Sequence, residues 1–250
     1  MSEPPVVVPE GFHVIAHRGA SGYAPENTLA AFRLAREMGA KEIEFDVQLS
    51  SDGVAVICHD RTLERYGHGP RVVESLDSRE LLALDMGSWF SPRFAAERMP
   101  TLGGLFETFG EAFVYHLEVK GEREGLEAET TRIVSESGIE NRVVVTSFRA
   151  AALERLRVEA PWLPLGWLVD VLDDAALEGA SRMKLSQICP HAANVTPEGV
   201  FAAKKVVREV RAWGLSGSPD RVRALIRRVA DAGCDGMTLN WPDWARHDRP

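Results

Sequence analysis

Apolar runs of strand character alternate with helical patterns along almost the whole chain. The runs are HVIAH (13–17), EIEFDVQL (42–49), VAVICH (54–59), FVYHLEVK (113–120), RVVVTSF (142–148), PLGWLV (164–169), LSQIC (185–189), VVREVRAW (206–213) and DGMTLN (235–240). Between most of them lie helical segments such as ENTLAAFRLAREMG (26–39), with Leu29, Phe32, Ala35 and Met38 on one face and Gly39 as a stop. Strand, helix, strand repeated in this way predicts a parallel sheet covered by helices. Nine runs are one too many for an eight-stranded barrel. The surplus lies at LSSDGV (49–54). Parallel neighbours need a crossover of about a dozen residues or more, and Asp52-Gly53 is a strong hairpin signal. Residues 54–59 should therefore return antiparallel on 42–49. Eight parallel strands remain, which is the α/β class and the (β/α)8 TIM barrel.

The 250 residues fit one such domain, 1–250. The stretch 61–110 becomes an insertion within it. Its helical piece at 78–87 and its aromatics Trp89, Phe90 and Phe94 predict a small cap over the C-terminal mouth that selects substrates by size. The net charge of −8 argues against nucleic acid and anionic membranes as partners, because both attract basic faces. A small anion is still admissible, since a local site can be positive on an acidic protein. Cys58, Cys189 and Cys234 stand singly in apolar runs, which reads as a reduced, intracellular chain. The first twelve residues, MSEPPVVVPEGF, show no secretory leader, and no apolar run approaches the roughly 20 residues of a spanning helix. The expectation is a cytoplasmic protein with no stable membrane insertion, of unknown oligomeric state.

Side chains alternate along a strand, so Glu44 and Asp46 share the face opposite Ile43, Phe45 and Val47. Two carboxylates so close need cations or a metal. A hairpin centred on Ser51-Asp52 would set His59 opposite Glu44, and a slip of one residue would turn it to the other face. Glu118 and Lys120 share one face near the end of the next parallel strand, and His17 and Arg18 close the first. Catalytic groups in such barrels sit at the strands' C-terminal ends. The mouth thus gathers two histidines, three carboxylates, an arginine and a lysine. That many oxygen ligands suits Mg²⁺ or Ca²⁺ better than Zn²⁺. His13, His116 and His191 read as core or surface residues, Trp213, Trp241 and Trp244 as packing, and the acidic run 122–129 as a solvated helix face.

Taken in order, HRGASGYAPENT, EFDV, SDGVAVICHD, LEVK and TSF resemble the glycerophosphodiester phosphodiesterase family. The resemblance implies a TIM-barrel enzyme that cleaves small glycerophosphodiesters to glycerol 3-phosphate and an alcohol. It implies a divalent metal, Mg²⁺ or Ca²⁺, held by Glu44, Asp46 and Glu118. It implies His17 as general base and His59 as general acid, with Arg18 and Lys120 on the phosphate. The turn after His17-Arg18 would then wrap that phosphate. Glu26 and Asn27 follow in the family's pattern, and Asn27 could equally cap a helix. The chain departs from the family late: Trp213 is followed by Gly214 and Leu215 rather than Thr-Val-Asn, Asn240 stands where aspartate is common, and Gly103-Gly104 where a glutamate often stands. These departures bear on the alcohol pocket. A lyase or phospholipase D-type activity on a lysolipid, a metal-dependent sugar isomerase, and a non-catalytic phosphate-binding barrel stay open as alternatives.

Overall fold

The computed structural model describes residues 4–247. The first three residues, part of the N-terminal stretch read as leaderless, and the last three, part of the expected 1–250 domain, lie outside them. In chain order the elements are β1 (Val6–Val8), β2 (His13–His17), α1 (Leu29–Glu37), β3 (Glu42–Leu49), β4 (Ala55–Ile57), α2 (Ser78–Ala83), α3 (Leu102–Phe109), β5 (Val114–Val119) and α4 (Leu126–Ser137). They continue as β6 (Val143–Ser147), α5 (Ala150–Glu159), β7 (Leu165–Val169), α6 (Asp174–Arg182), β8 (Gln187–Pro190), α7 (Pro197–Ala203), β9 (Glu209–Ala212), α8 (Pro219–Asp231), β10 (Gly236–Leu239) and β11 (Ala245–His247).

β2, β3, β5, β6, β7, β8, β9 and β10 pair in parallel, and β10 closes on β2 to complete the expected barrel. β1 and β11 form a separate two-stranded parallel pair that the sequence reading did not include. The strands' outward faces pack under the helices. Phe32 of α1 is fully buried and meets Phe45 of β3 edge to face, with ring centroids 6.1 Å apart. Burying one such ring contributes roughly 1.5–3 kcal/mol. α4 starts at Leu126, and Glu127 in its first turn is buried on Arg155 at 2.5 Å, so the acidic run is not uniformly solvated.

β4 returns antiparallel on β3, as the Asp52-Gly53 turn requires; Gly53 has φ +85, the left-handed region glycine enters freely. The register differs by one residue from the expected one: Val47 faces Ile57 and Leu49 faces Ala55. Continued, that ladder would carry His59 to the face away from Glu44. The ladder instead ends, with Cys58 N donating to Asp46 O at 3.0 Å, and a bend at His59 and Asp60 turns the imidazole into the mouth.

The segment 61–110 divides in two. Leu63, Tyr66, Val73, Leu81 and Met99 form a small second core together with Val56 of β4. Leu102, Leu105, Phe106 and Phe109 of α3 belong to the main core as a barrel helix. The helical piece at 78–87 is shorter than expected, ending at Ala83.

Candidate active site

A cavity of about 390 Å³ opens at the strands' C-terminal ends. β2 delivers His17 to its edge, and the chain then turns sharply. Arg18 has φ +56, which a side chain adopts only under constraint. Gly19 follows at φ +80, and a Cβ there would stand 2.6 Å from the backbone of Ala31. The turn is therefore pressed against the start of α1. That contact explains the glycine; His17 and Arg18 before it both face the cavity.

Glu44, Asp46 and Glu118 are buried, and one carboxylate oxygen of each lies within 4.8 Å of the others. The pairing of β3 with β5 sets Asp46 beside Glu118, and that of β2 with β3 sets His17 beside Glu44. Arg18 Nε lies 3.3 Å from Asp46 Oδ2, and its backbone N–H donates to Glu44 Oε2 at 3.2 Å. Lys120 Nζ lies 3.2 Å from Glu118 Oε1 and 3.7 Å from Asp46 Oδ1. Three carboxylates thus face two fixed cations. Burial, then the charge of Asp46, pushes Glu44 well above the usual carboxylate range and Glu118 up to about 7. Burial also opposes the charge of Asp46, but Arg18, His59, Lys120 and the bond from Asn27 outweigh it and hold Asp46 low. Asp46 Oδ1 is a buried acceptor with no hydrogen-bond donor. An anionic all-oxygen set with an orphaned acceptor fits a hard divalent cation.

The two histidines have different partners. His17 Nδ1 lies 2.6 Å from Asn240 Oδ1, a neutral acceptor, so Nδ1 carries the hydrogen and Nε2 keeps its lone pair. Nε2 lies 3.8 Å from Glu44 Oε2. Burial, then the charge of Arg18, lowers the His17 pKa to about 3. His59 Nδ1 lies 2.5 Å from Asp60 Oδ1, an anionic partner. Burial lowers the His59 pKa too, helped by the charges of Arg18 and Lys120, while Asp46 and the bond to Asp60 only partly oppose them.

Residues 17–244 match the description "Glycerophosphoryl diester phosphodiesterase family". The chain belongs to that family. Membership makes it an enzyme, a phosphodiesterase. A glycerophosphodiester phosphodiesterase of Caldanaerobacter subterraneus subsp. tengcongensis is 36% identical, with 92% of this chain and 94% of that protein covered. A solved phosphodiesterase from Oleispira antarctica, in complex with the product sn-glycerol-3-phosphate, is 30% identical with a TM-score of 0.81, covering 94% of each chain. A solved glycerophosphodiester phosphodiesterase from Agrobacterium tumefaciens is 28% identical with a TM-score of 0.81, covering 93% of this chain and 98% of that one.

All seven site residues expected from the sequence meet at this one mouth: His17, Arg18, Glu44, His59, Glu118 and Lys120 line the cavity and Asp46 is buried beside them. Asn27 is not the helix cap. Thr28 accepts the bond from Ala31 N, while Asn27, at φ +57, donates Nδ2 to Asp46 Oδ2 at 2.9 Å. Glu26 accepts from Arg18 at 3.0 Å and from the Tyr66 hydroxyl at 3.1 Å. The inserted segment thereby braces the first loop. Among the described residues, none of 61–110 lines this cavity directly. The wall comes from strand ends and the loops beyond them, with Phe148, Leu168, Trp213 and Leu215. Trp213, expected to be packing, faces the cavity and meets Phe148 edge to face at 4.8 Å. Trp241 and Trp244 do stack on each other, at 4.4 Å. Of the family departures, Asn240, Gly214 and Leu215 line the cavity and Gly103 and Gly104 do not. His13 and His116 both bind Glu42, and His191 accepts from Ala193 N.

Proposed function

We propose that this enzyme hydrolyses glycerophosphodiesters to glycerol 3-phosphate and an alcohol, that Glu44, Asp46 and Glu118 hold a divalent metal, and that His17 and His59 divide the proton transfers. The observation that carries this is the buried carboxylate trio at a cavity that two histidines with unlike partners also line. The relatives' named activity and the product complex of the Oleispira protein support the substrate class.

When bound, a Mg²⁺ or Ca²⁺ ion supplies positive charge against the phosphoryl oxygens. Arg18 offers a planar fork to the phosphate, and Lys120 a second cation. His17, hydrogen-bonded through Nδ1 to Asn240, has Nε2 free to accept the nucleophile's proton as the new P–O bond forms. The nucleophile is water or the glycerol hydroxyl beside the phosphate. A cyclic phosphate formed by the second route would then be opened by water. His59, with Asp60 on Nδ1 favouring the protonated ring, gives a proton to the alcohol oxygen as its bond to phosphorus breaks. The phosphate would lie at the metal end of the cavity and the alcohol against the apolar wall of Phe148 and Trp213. Three buried, unpaired cysteines agree with a reducing compartment, and we place the enzyme in the cytoplasm. Among the described residues no helix is long and apolar enough to cross a membrane.

Incubation with glycerophosphocholine, glycerophosphoethanolamine and glycerophosphoinositol, after chelation and after return of Mg²⁺ or Ca²⁺, tests this reading. Glycerol 3-phosphate released only with the metal is the expected result. Full activity after exhaustive chelation would overturn the metal assignment. A cyclic phosphate as sole product would make it a lyase, and no turnover of any diester would leave the binding protein.

A further inference from the structure

The cavity does not stop at the carboxylates. It descends into the barrel to a polar floor that includes His116, Thr146, Gln187 and Arg211. One hydrogen-bonding row of the sheet leads there: Glu118 pairs with Thr146, Thr146 with Gly166, and Gly166 with Gln187. Most of the floor is already committed. Arg211 binds Glu42 and Glu209, and His116 Nε2 lies 2.7 Å from Glu42. Gln187 differs. It is 1% exposed, and its Nε2 donates to Glu209 Oε2 at 2.7 Å. A carboxylate can only accept, so this bond fixes the amide with Oε1 on the other side. Oε1 is buried and has no hydrogen-bond partner. A buried amide oxygen without a donor is costly and rare.

We propose that Gln187 Oε1 accepts a hydrogen bond from the substrate's terminal glycerol hydroxyl, the one farthest from the phosphate, so that the glycerol moiety points down into the barrel and the alcohol up to the rim. The inference rests on the glycerophosphodiester reading. An acceptor-only group calls for a ligand with a donor, which a hydroxyl has and an ionised phosphate lacks. The floor is enclosed and polar, which suits a small constant polyol. The rim is open and partly apolar, with Phe148 42% exposed, which suits the variable group. Gly166 leaves the floor its room: a Cβ there would stand 3.3 Å from Gln187 Oε1.

The test compares glycerophosphocholine with its analogue lacking only the terminal hydroxyl, in the wild type and in Gln187→Met, with metal present. The wild type should lose roughly 10- to 100-fold in kcat/KM on the analogue, because Oε1 stays buried and unpaired. Gln187→Met should turn over the two substrates at nearly equal kcat/KM, and the ratio cancels any general loss from the broken Glu209 bond. A wild type that releases glycerol 3-phosphate yet does not discriminate overturns the inference alone, as does a variant that keeps the full discrimination. A wild type inactive on both substrates overturns the activity reading and the inference together. Should Gln187→Met fail to fold, the wild-type comparison and the inhibition of the wild type by glycerol 3-phosphate against its deoxy analogue decide in the same way.

Discussion

Asn27 donates its side-chain amide to Asp46 Oδ2 at 2.9 Å, from a backbone held at φ +57. Arg18, also at positive φ, approaches the same oxygen at 3.3 Å. Two strained residues at either end of one turn thus aim at one carboxylate. Its other oxygen, Oδ1, has no hydrogen-bond donor and is left for the proposed metal. Asn27→Gly tolerates the same backbone but removes the amide. Metal affinity should fall about 10- to 100-fold with the fold retained. Calorimetric titration with Mn²⁺ or Ca²⁺ measures it, and an unchanged affinity would mean that Asn27 serves the turn alone.

Metal binding should also become stronger as pH rises. Burial and the Asp46 charge put Glu118 at about 7 in the metal-free fold, above its ordinary 4.5. A raised carboxylate pKa helps the fold fully below the ordinary value, and that help is lost as pH rises towards 7. A cation then replaces the proton. The rise in Tm on adding metal should be larger at about pH 8 than at about pH 5.5. The reverse order in a thermal melt would contradict the crowding of the three carboxylates.

Asn240 should act through His17. Asn240→Ala removes the partner that sets which ring nitrogen carries the hydrogen, and kcat should drop on the order of tenfold or more with KM little changed. Asn240→Asp places an anion on Nδ1 and raises the His17 pKa, so the acid limb of the kcat profile should move to higher pH. A profile in Asn240→Asp that overlays the wild type's would remove Asn240 from the mechanism.

The apolar wall should set the choice of alcohol. Trp213→Ala and Phe148→Ala should each change the ratio of kcat/KM between choline and inositol diesters several-fold, since an exposed ring can favour a quaternary ammonium by about 0.5–1 kcal/mol. Steady-state kinetics on both substrates checks this. Equal losses on both diesters would return the selection to some other part of the chain.

Much of this was legible before the structure. Strand alternation placed Glu44 and Asp46 on one face, and the short Asp52-Gly53 linker removed the ninth strand from the barrel. His59 reached the mouth for another reason than the one expected: the hairpin register is one residue off, and a bend beyond Cys58 restores the direction. Alternation rules hold only while the ladder lasts. Asn27 looked like a cap because Asn is a good one, and nothing local distinguishes it from Thr28 beside it. The Asn240 partnership with His17 spans 223 positions, so no local pattern records it. The idle oxygen of Gln187 depends on Glu209 across a strand pair, which only the closed barrel brings together.

The unlike partners of His17 and His59 are the core of this account, and one comparison of rates tests them. An alkoxide leaving group needs a proton, whereas a nitrophenolate departs without one. His59→Ala should lose on the order of 10²–10⁴-fold on glycerophosphocholine and far less on a nitrophenyl phosphodiester, while His17→Ala should lose heavily on both. Leaving-group rescue in His17→Ala instead would reverse the two roles. Both variants retaining most of their activity on both substrates would contradict the paired-histidine mechanism.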